Sequence, residues 1–94
     1  MKRCLFFTVH AMRRMHKRGI AESDVRHVLD TGETIERYPG DIPYPSRLVL
    51  GFCGARPLHV VVAEMPASEK AIVVTVYEPS SEQWGPDFRK RRTL

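Results

Sequence analysis

His10, Arg14 and Arg18 recur at i, i+4 and i+8 in the run Thr8-Val9-His10-Ala11-Met12-Arg13-Arg14-Met15-His16-Lys17-Arg18-Gly19-Ile20. On a helix this spacing puts all three along one face. A titratable imidazole then stands in a row with two permanent cations. Such a row suits a phosphate, because the cations hold it and the imidazole can move a proton. The competing reading is a solvated basic helix face, since runs of charge usually face water.

RNA cleavage by transesterification needs few parts. A base takes the proton of the 2′-hydroxyl, cations stabilise the pentavalent phosphate, and an acid protonates the leaving 5′ oxygen. His10, Arg14, Arg18, His59 and Tyr77 are the residues of suitable type. In that chemistry His10 is the leading proton-transfer group, and Arg14 and Arg18 hold the phosphate. Tyr77 is a second proton donor or a stacking surface for a base. Arg13, Lys17, Arg47, Arg89 and Arg92 are read as RNA-binding residues. Plainer readings compete: His59 as a half-buried packing residue, Tyr77 as a structural strand end, and Arg18 as a tie from the helix corner to Asp24 or a carbonyl. His16 and His27 are expected to be exposed and are given no role.

The elements that must position these residues follow from pattern. Thr8 is a plausible N-cap for a helix from about Val9 to Lys17, which Gly19 ends at positive φ. Ile20 and Val25 match a hydrophobic staple around a second helix, with Asp24 in its first turn and Val25, Val28 and Leu29 as its buried stripe. Ala21 stands where a Ser or Thr cap is typical, and Gly32 follows the helix as a C′ residue. Thr34 to Tyr38 reads as a modest strand. Pro39, Gly40, Pro43 and Pro45 mark an irregular loop. Arg47–Phe52, Pro57–Glu64 and Ala71–Tyr77 read as strands joined by short hairpin connections over 53–56 and 66–70.

Alternation assigns Leu48, Leu50, Phe52, Leu58, Val60, Val62, Ile72, Val74 and Val76 to the face that packs on the helices. The opposite face, with Arg47, Val49, Gly51, His59, Val61, Ala63, Val73, Thr75 and Tyr77, is expected to be partly open. The fold class expected is α+β, with two N-terminal helices on one face of a three- to four-stranded antiparallel sheet. Residues 79–94 form a Pro-containing basic C-terminal tail. Trp84 and Phe88 anchor it, and the final Arg-Lys-Arg-Arg-Thr-Leu is expected to be mobile.

The chain has 94 residues and a net charge of +4, which suits one small domain with an acidic partner. Its two cysteines, Cys4 and Cys53, form no C-x-x-C pair and are read as reduced thiols in or near the core. The apolar run Cys4-Leu5-Phe6-Phe7 after Met1-Lys2-Arg3 is too short for a signal peptide or a membrane span. It reads as a segment entering the first helix, so a cytoplasmic protein with no membrane partner is expected. No H-x-x-x-H, H-E-x-x-H, C-x-x-C or glycine-rich phosphate loop occurs. No metal and no nucleotide cofactor is therefore expected.

One combination is specific although each piece is short. It comprises Phe7-Thr8-x-His10-Ala11-x-x-Arg14-Met15-x-x-Arg18-Gly19-Ile20, Val25, Gly32-Glu33-x-Ile35, Leu48-Val49-Leu50-Gly51, Arg56-Pro57-Leu58-His59-Val60-Val61, Val74-Thr75-Val76-Tyr77-x-Pro79 and Trp84. From about Phe7 to Arg92 the chain resembles a widespread bacterial family of small proteins of unassigned function. Members of that family resemble RelE-like toxins, and many are encoded beside a small zinc-finger antitoxin of the MqsA/YgiT type. The resemblance implies a single RelE-like domain over 1–94 and the toxin of a type II toxin–antitoxin pair, an mRNA interferase. His10, Arg14, Arg18, His59 and Tyr77 are the matching polar positions. RNA and a cognate antitoxin are the partners implied, and an exposed strand edge would permit a homodimer. The alternative of another class is a non-catalytic module of the same fold that binds RNA or a protein.

Overall fold

Thr8 starts the first helix as expected: its hydroxyl accepts from the Ala11 N–H at 3.0 Å. The same hydroxyl donates to the Val74 carbonyl at 2.8 Å, so the cap also ties the helix to a distant strand. These coordinates are a computed structural model that describes residues 4–65 and 68–92. Helix α1 runs Val9–Arg18 and buries Ala11 and Met15. Gly19 closes it at φ 65°, a conformation that glycine adopts without steric cost. Helix α2 runs Glu22–Thr31 and buries Val25, Val28 and Leu29. The Asp24 carboxylate accepts from the Ala21 N–H at 2.9 Å. Ala21 has no oxygen to answer it, so only half of a capping box forms. Ile20 and Val25 both enter the core, as the staple requires.

The strands are β1 (Cys4–Phe7), β2 (Glu33–Tyr38), β3 (Ser46–Cys53), β4 (Arg56–Glu64) and β5 (Lys70–Tyr77). They form one open sheet in the order β1-β5-β4-β3-β2. The sheet thus has five strands rather than three to four, and it is mixed rather than purely antiparallel. The added strand is Cys4–Phe7, which pairs parallel to β5 with Leu5 opposite Ala71. Its four residues bury Leu5 and expose Cys4 and Phe6. That alternation is too brief to stand out from an apolar lead-in. Cys4 is therefore an exposed thiol and not a core one, whereas Cys53 is half-buried.

Both helices pack on one face of the sheet, and two irregularities decide which side chains meet them. In β3 the helix-facing residues are Val49, Gly51 and Cys53, not Leu48, Leu50 and Phe52. A Cβ on Gly51 would lie 2.8 Å from a Val28 methyl, so glycine makes the recess into which α2 presses. In β5 a bulge between the pairs Val61–Thr75 and Val62–Val73 leaves Val74 as an extra residue. An extra residue reverses the alternation on one side of it. Ala71 and Val73 therefore join Val76 in the core, while Val74 is exposed. The assignment of β4 by alternation holds: Leu58, Val60 and Val62 are all buried against the helices. Gly32 also differs in its use, because its backbone is extended (φ −80°). A Cβ there would meet the Leu50 and Val28 carbonyl oxygens at 2.4 and 2.5 Å, so close approach of backbone is what requires glycine.

The face expected to be partly open is covered. Residues after β5 fold back across it as a strap. Trp84 is 1 % exposed and packs edge-on against the His59 ring at 4.4 Å. Leu48 and Leu50 are buried on this side of the sheet. Arg89 pairs with Glu33 and Arg91 with Glu36, both on β2. The Arg92 guanidinium donates to the Ser81 and Trp84 carbonyls at 2.6 and 2.9 Å. Arg89–Arg92 are thus tied down rather than loose. Thr93 and Leu94, residues 66–67 of the second hairpin connection and Met1-Lys2-Arg3 lie outside the described residues.

Candidate functional site

The helical row forms as the spacing predicts. His10, Arg14 and Arg18 all lie exposed on α1, and the Arg14 Nε–H donates to His10 Nε2 at 3.2 Å. Arg14 and Arg18 reach over a cleft of about 230 Å³ that Tyr77, Glu78, Pro79, Ser80 and Gln83 complete. The cleft therefore joins the last turns of α1 to the end of β5 and the start of the strap. His10 sits one helical turn before Arg14, about 6 Å along the axis, and does not line the cleft itself.

Arg56 fixes this corner. Its guanidinium donates to the Arg18 and Gly19 carbonyls at 2.6 and 3.3 Å and pairs with Glu78 at 2.8 Å. A cation there satisfies carbonyls that the helix end leaves unpaired and complements its dipole. The tie to the corner is thus made by Arg56 on the backbone of Arg18, and Arg18 itself lines the cleft. Nothing in the local run around Arg56 signals this role, because its partners lie 37 and 38 residues earlier.

Tyr77 and His59 are register partners on neighbouring strands. His59 Nδ1 lies 3.1 Å from the Tyr77 hydroxyl, and Nε2 lies 2.9 Å from the Phe88 carbonyl. A carbonyl only accepts, so Nε2 carries the hydrogen. The neutral ring then leaves a lone pair on Nδ1, and the Tyr77 O–H donates to it. His59 is 0 % exposed. Burial holds its pKa below the ordinary histidine value, which keeps the ring neutral. Burial also pushes the Tyr77 phenol up, against the pull of the nearby Arg91 and Arg14 charges. The structure brings Arg14, Arg18 and Tyr77 to one cleft, leaves His10 outside it in contact with Arg14, and sets His59 behind Tyr77, out of solvent.

The remaining basic residues lie elsewhere. Arg13 and Lys17 are exposed on α1. Arg47 pairs with Glu64 at 2.6 Å and donates to Thr34 at 2.8 Å. Arg89 and Arg92 belong to the strap, as described. Among the described residues no group of three or more His, Cys, Asp or Glu side chains is placed to hold a metal ion.

The matched family is the one described as "Domain of unknown function (DUF4258)", and its model covers residues 7–78. The chain belongs to this family. No curated protein and no solved structure matches it. The matched span contains His10, Arg14, Arg18, His59 and Tyr77 and ends where the strap begins. No helix among the described residues is long and apolar enough to cross a membrane.

Proposed function

We propose that the protein is a metal-independent endoribonuclease, a RelE-like toxin of a type II toxin–antitoxin pair acting in the cytoplasm. The observation that carries this reading is the cleft itself, where two arginines and a tyrosine meet beside an imidazole. Arg14 and Arg18 hold the scissile phosphate and stabilise the charge that grows on it. In the free protein Arg14 occupies the lone pair of His10 Nε2. A phosphate that draws Arg14 away frees that nitrogen to carry a proton. His10 stands one helical turn before Arg14, outside the cleft that Tyr77 lines. In-line displacement puts nucleophile and leaving group on opposite sides of phosphorus. We therefore assign His10 to deliver a solvent-derived proton to the leaving 5′ oxygen, and Tyr77 to the attacking 2′-hydroxyl, whose proton passes to the Tyr77 oxygen as the Tyr77 proton passes to His59 Nδ1. A cognate antitoxin, in the zinc-finger form that the family resemblance implies, would act as inhibitor, and an open sheet edge at β1 or β2 leaves room for it or for a second copy.

The test is cleavage of end-labelled RNA in EDTA by wild type and by His10→Ala. Fragments ending in 2′,3′-cyclic phosphate, made by wild type and not by folded His10→Ala, are the expected result. The seclusion of His59 favours a second reading, a non-catalytic RNA-binding module, because it leaves the cleft with one imidazole. Salt-sensitive RNA binding with no product from either protein, also in the presence of ribosomes, would decide for that module.

A further inference from the structure

The chain of donors behind the cleft fixes what the cleft can recognise. The Phe88 carbonyl holds the hydrogen of His59 Nε2, and His59 Nδ1 holds the hydrogen of Tyr77. The ring cannot exchange these roles without leaving a buried group unpaired. Trp84 closes against its other side, and no atom of His59 reaches solvent. The only proton of the Tyr77 hydroxyl is thus directed inward. Tyr77 lines the same cleft as Arg14 and Arg18, and a hydroxyl whose proton is so held can only accept from a ligand, whereas the two arginines can only donate. A ligand that satisfies all three carries an anionic phosphate and, beside it, a group that donates a hydrogen bond.

We propose that this group is the 2′-hydroxyl of a ribonucleotide whose 3′-phosphate lies on Arg14 and Arg18, so that Tyr77 distinguishes ribose from deoxyribose and His59 is the positioning residue that keeps Tyr77 accepting. The inference rests on the reading of the cleft as a phosphate site and adds the sugar to it. In a 3′-linked nucleotide the donor adjoining the phosphate is the 2′-hydroxyl, and it is the group that separates RNA from DNA. Deoxyribose leaves the Tyr77 lone pair unanswered.

The experiment is an NMR titration of the isotope-labelled full chain with the four ribonucleoside 3′-monophosphates and their 2′-deoxy counterparts, none of which can be cleaved. Amide shifts in α1 and at Tyr77 are followed in wild type, Tyr77→Phe, His59→Gln and His59→Phe. Wild type should bind the ribo form about five- to tenfold more tightly, the worth of one hydrogen bond. Tyr77→Phe should bind both forms alike, near the wild-type affinity for the deoxy form. His59→Gln, whose amide can accept from Tyr77 and donate to Phe88, should keep the preference. A folded His59→Phe, which frees the Tyr77 proton, should lose it. Equal affinity of wild type for the two sugars, or a preference that survives Tyr77→Phe, overturns the ribose reading while leaving the phosphate cleft intact. Absence of shifts at Arg14 and Arg18 with every nucleotide and with inorganic phosphate overturns the phosphate reading, and this inference with it.

Discussion

The chain has two dense basic stretches, and they are used in opposite ways. On α1, Arg14 and Arg18 stand over an open cleft, and among the described residues Arg14 donates to the lone pair of His10. On the strap, Arg89, Arg91 and Arg92 turn inward. They meet Glu33, Glu36, the Trp84 ring and two backbone carbonyls of the same chain. Composition cannot separate the two stretches, since both are runs of Arg and Lys. What separates them is the surroundings. The strap crosses a sheet edge strand that presents carboxylates, whereas the α1 row faces the end of β5, where the acid that lines the cleft, Glu78, is already paired with Arg56. A cation stays open to a foreign anion only where the fold has not already paired it with one of its own.

The sharpest test of the contrast removes the strap's anchor. Trp84→Ala should lower unfolding free energy by about 3–5 kcal/mol, measured by urea denaturation, because the indole is buried against His59. A loss under about 1 kcal/mol would break the comparison, since the strap would then be a loose basic tail. Next, Arg14→Ala or Arg18→Ala should slow RNA cleavage by about 100-fold while changing stability by no more than about 0.5 kcal/mol. A Gly51→Ala change sharpens the helix side: it should cost about 1–3 kcal/mol, because the new methyl would press on Val28.

The pH dependence of stability probes the junction of the two regions. His59 is held neutral in the folded protein, with its pKa below the ordinary value of 6.5. The unfolded chain therefore takes up a proton first as pH falls. Stability is whole above about pH 6.5 and declines between there and the lower folded pKa, at no more than about 1.4 kcal/mol per pH unit. Trp84 fluorescence in urea at a series of pH values should show this limb, and His59→Gln should flatten it. The smallest effect belongs to Arg89→Ala. Its pair with Glu33 is half exposed on both sides, so the expected loss is under about 1 kcal/mol, with cleavage unchanged. A large drop in cleavage would move Arg89 from the strap to the RNA surface.

The sequence was readable where a period repeated or a cap had its own chemistry. Thr8, Gly19 and the stripe of Val25, Val28 and Leu29 needed only local rules, and the row from His10 to Arg18 followed from the helix that contains it. Strand face was less readable. Val49 and Leu48 are both apolar and both buried, so alternation could not say which side met the helices, and the extra residue at Val74 hid in a run of β-branched side chains. The strand at Cys4–Phe7 was too short to show a period. The setting of Tyr77 was legible only in part: its residue type suggested chemistry, but the direction of its proton depends on His59 and on a carbonyl eleven residues past the end of β5. The value of Arg56 was not legible, because it acts on backbone atoms of a helix far upstream.

The parallel pairing of β1 with β5 sets a condition on biosynthesis. Cys4 meets Lys70, and Phe7 meets Val73, so the opening strand has no partner until the closing one has been made. Helix α1 is in the same position, because it rests mainly on β5. Contacts so distant along the chain close late in folding. During translation, α1 and its cations leave the ribosome long before the surface they need. The cleft, built from both ends of this pairing, cannot exist on a partly made chain. Any action on RNA is thereby deferred until synthesis has passed Gln83, the last residue of its wall.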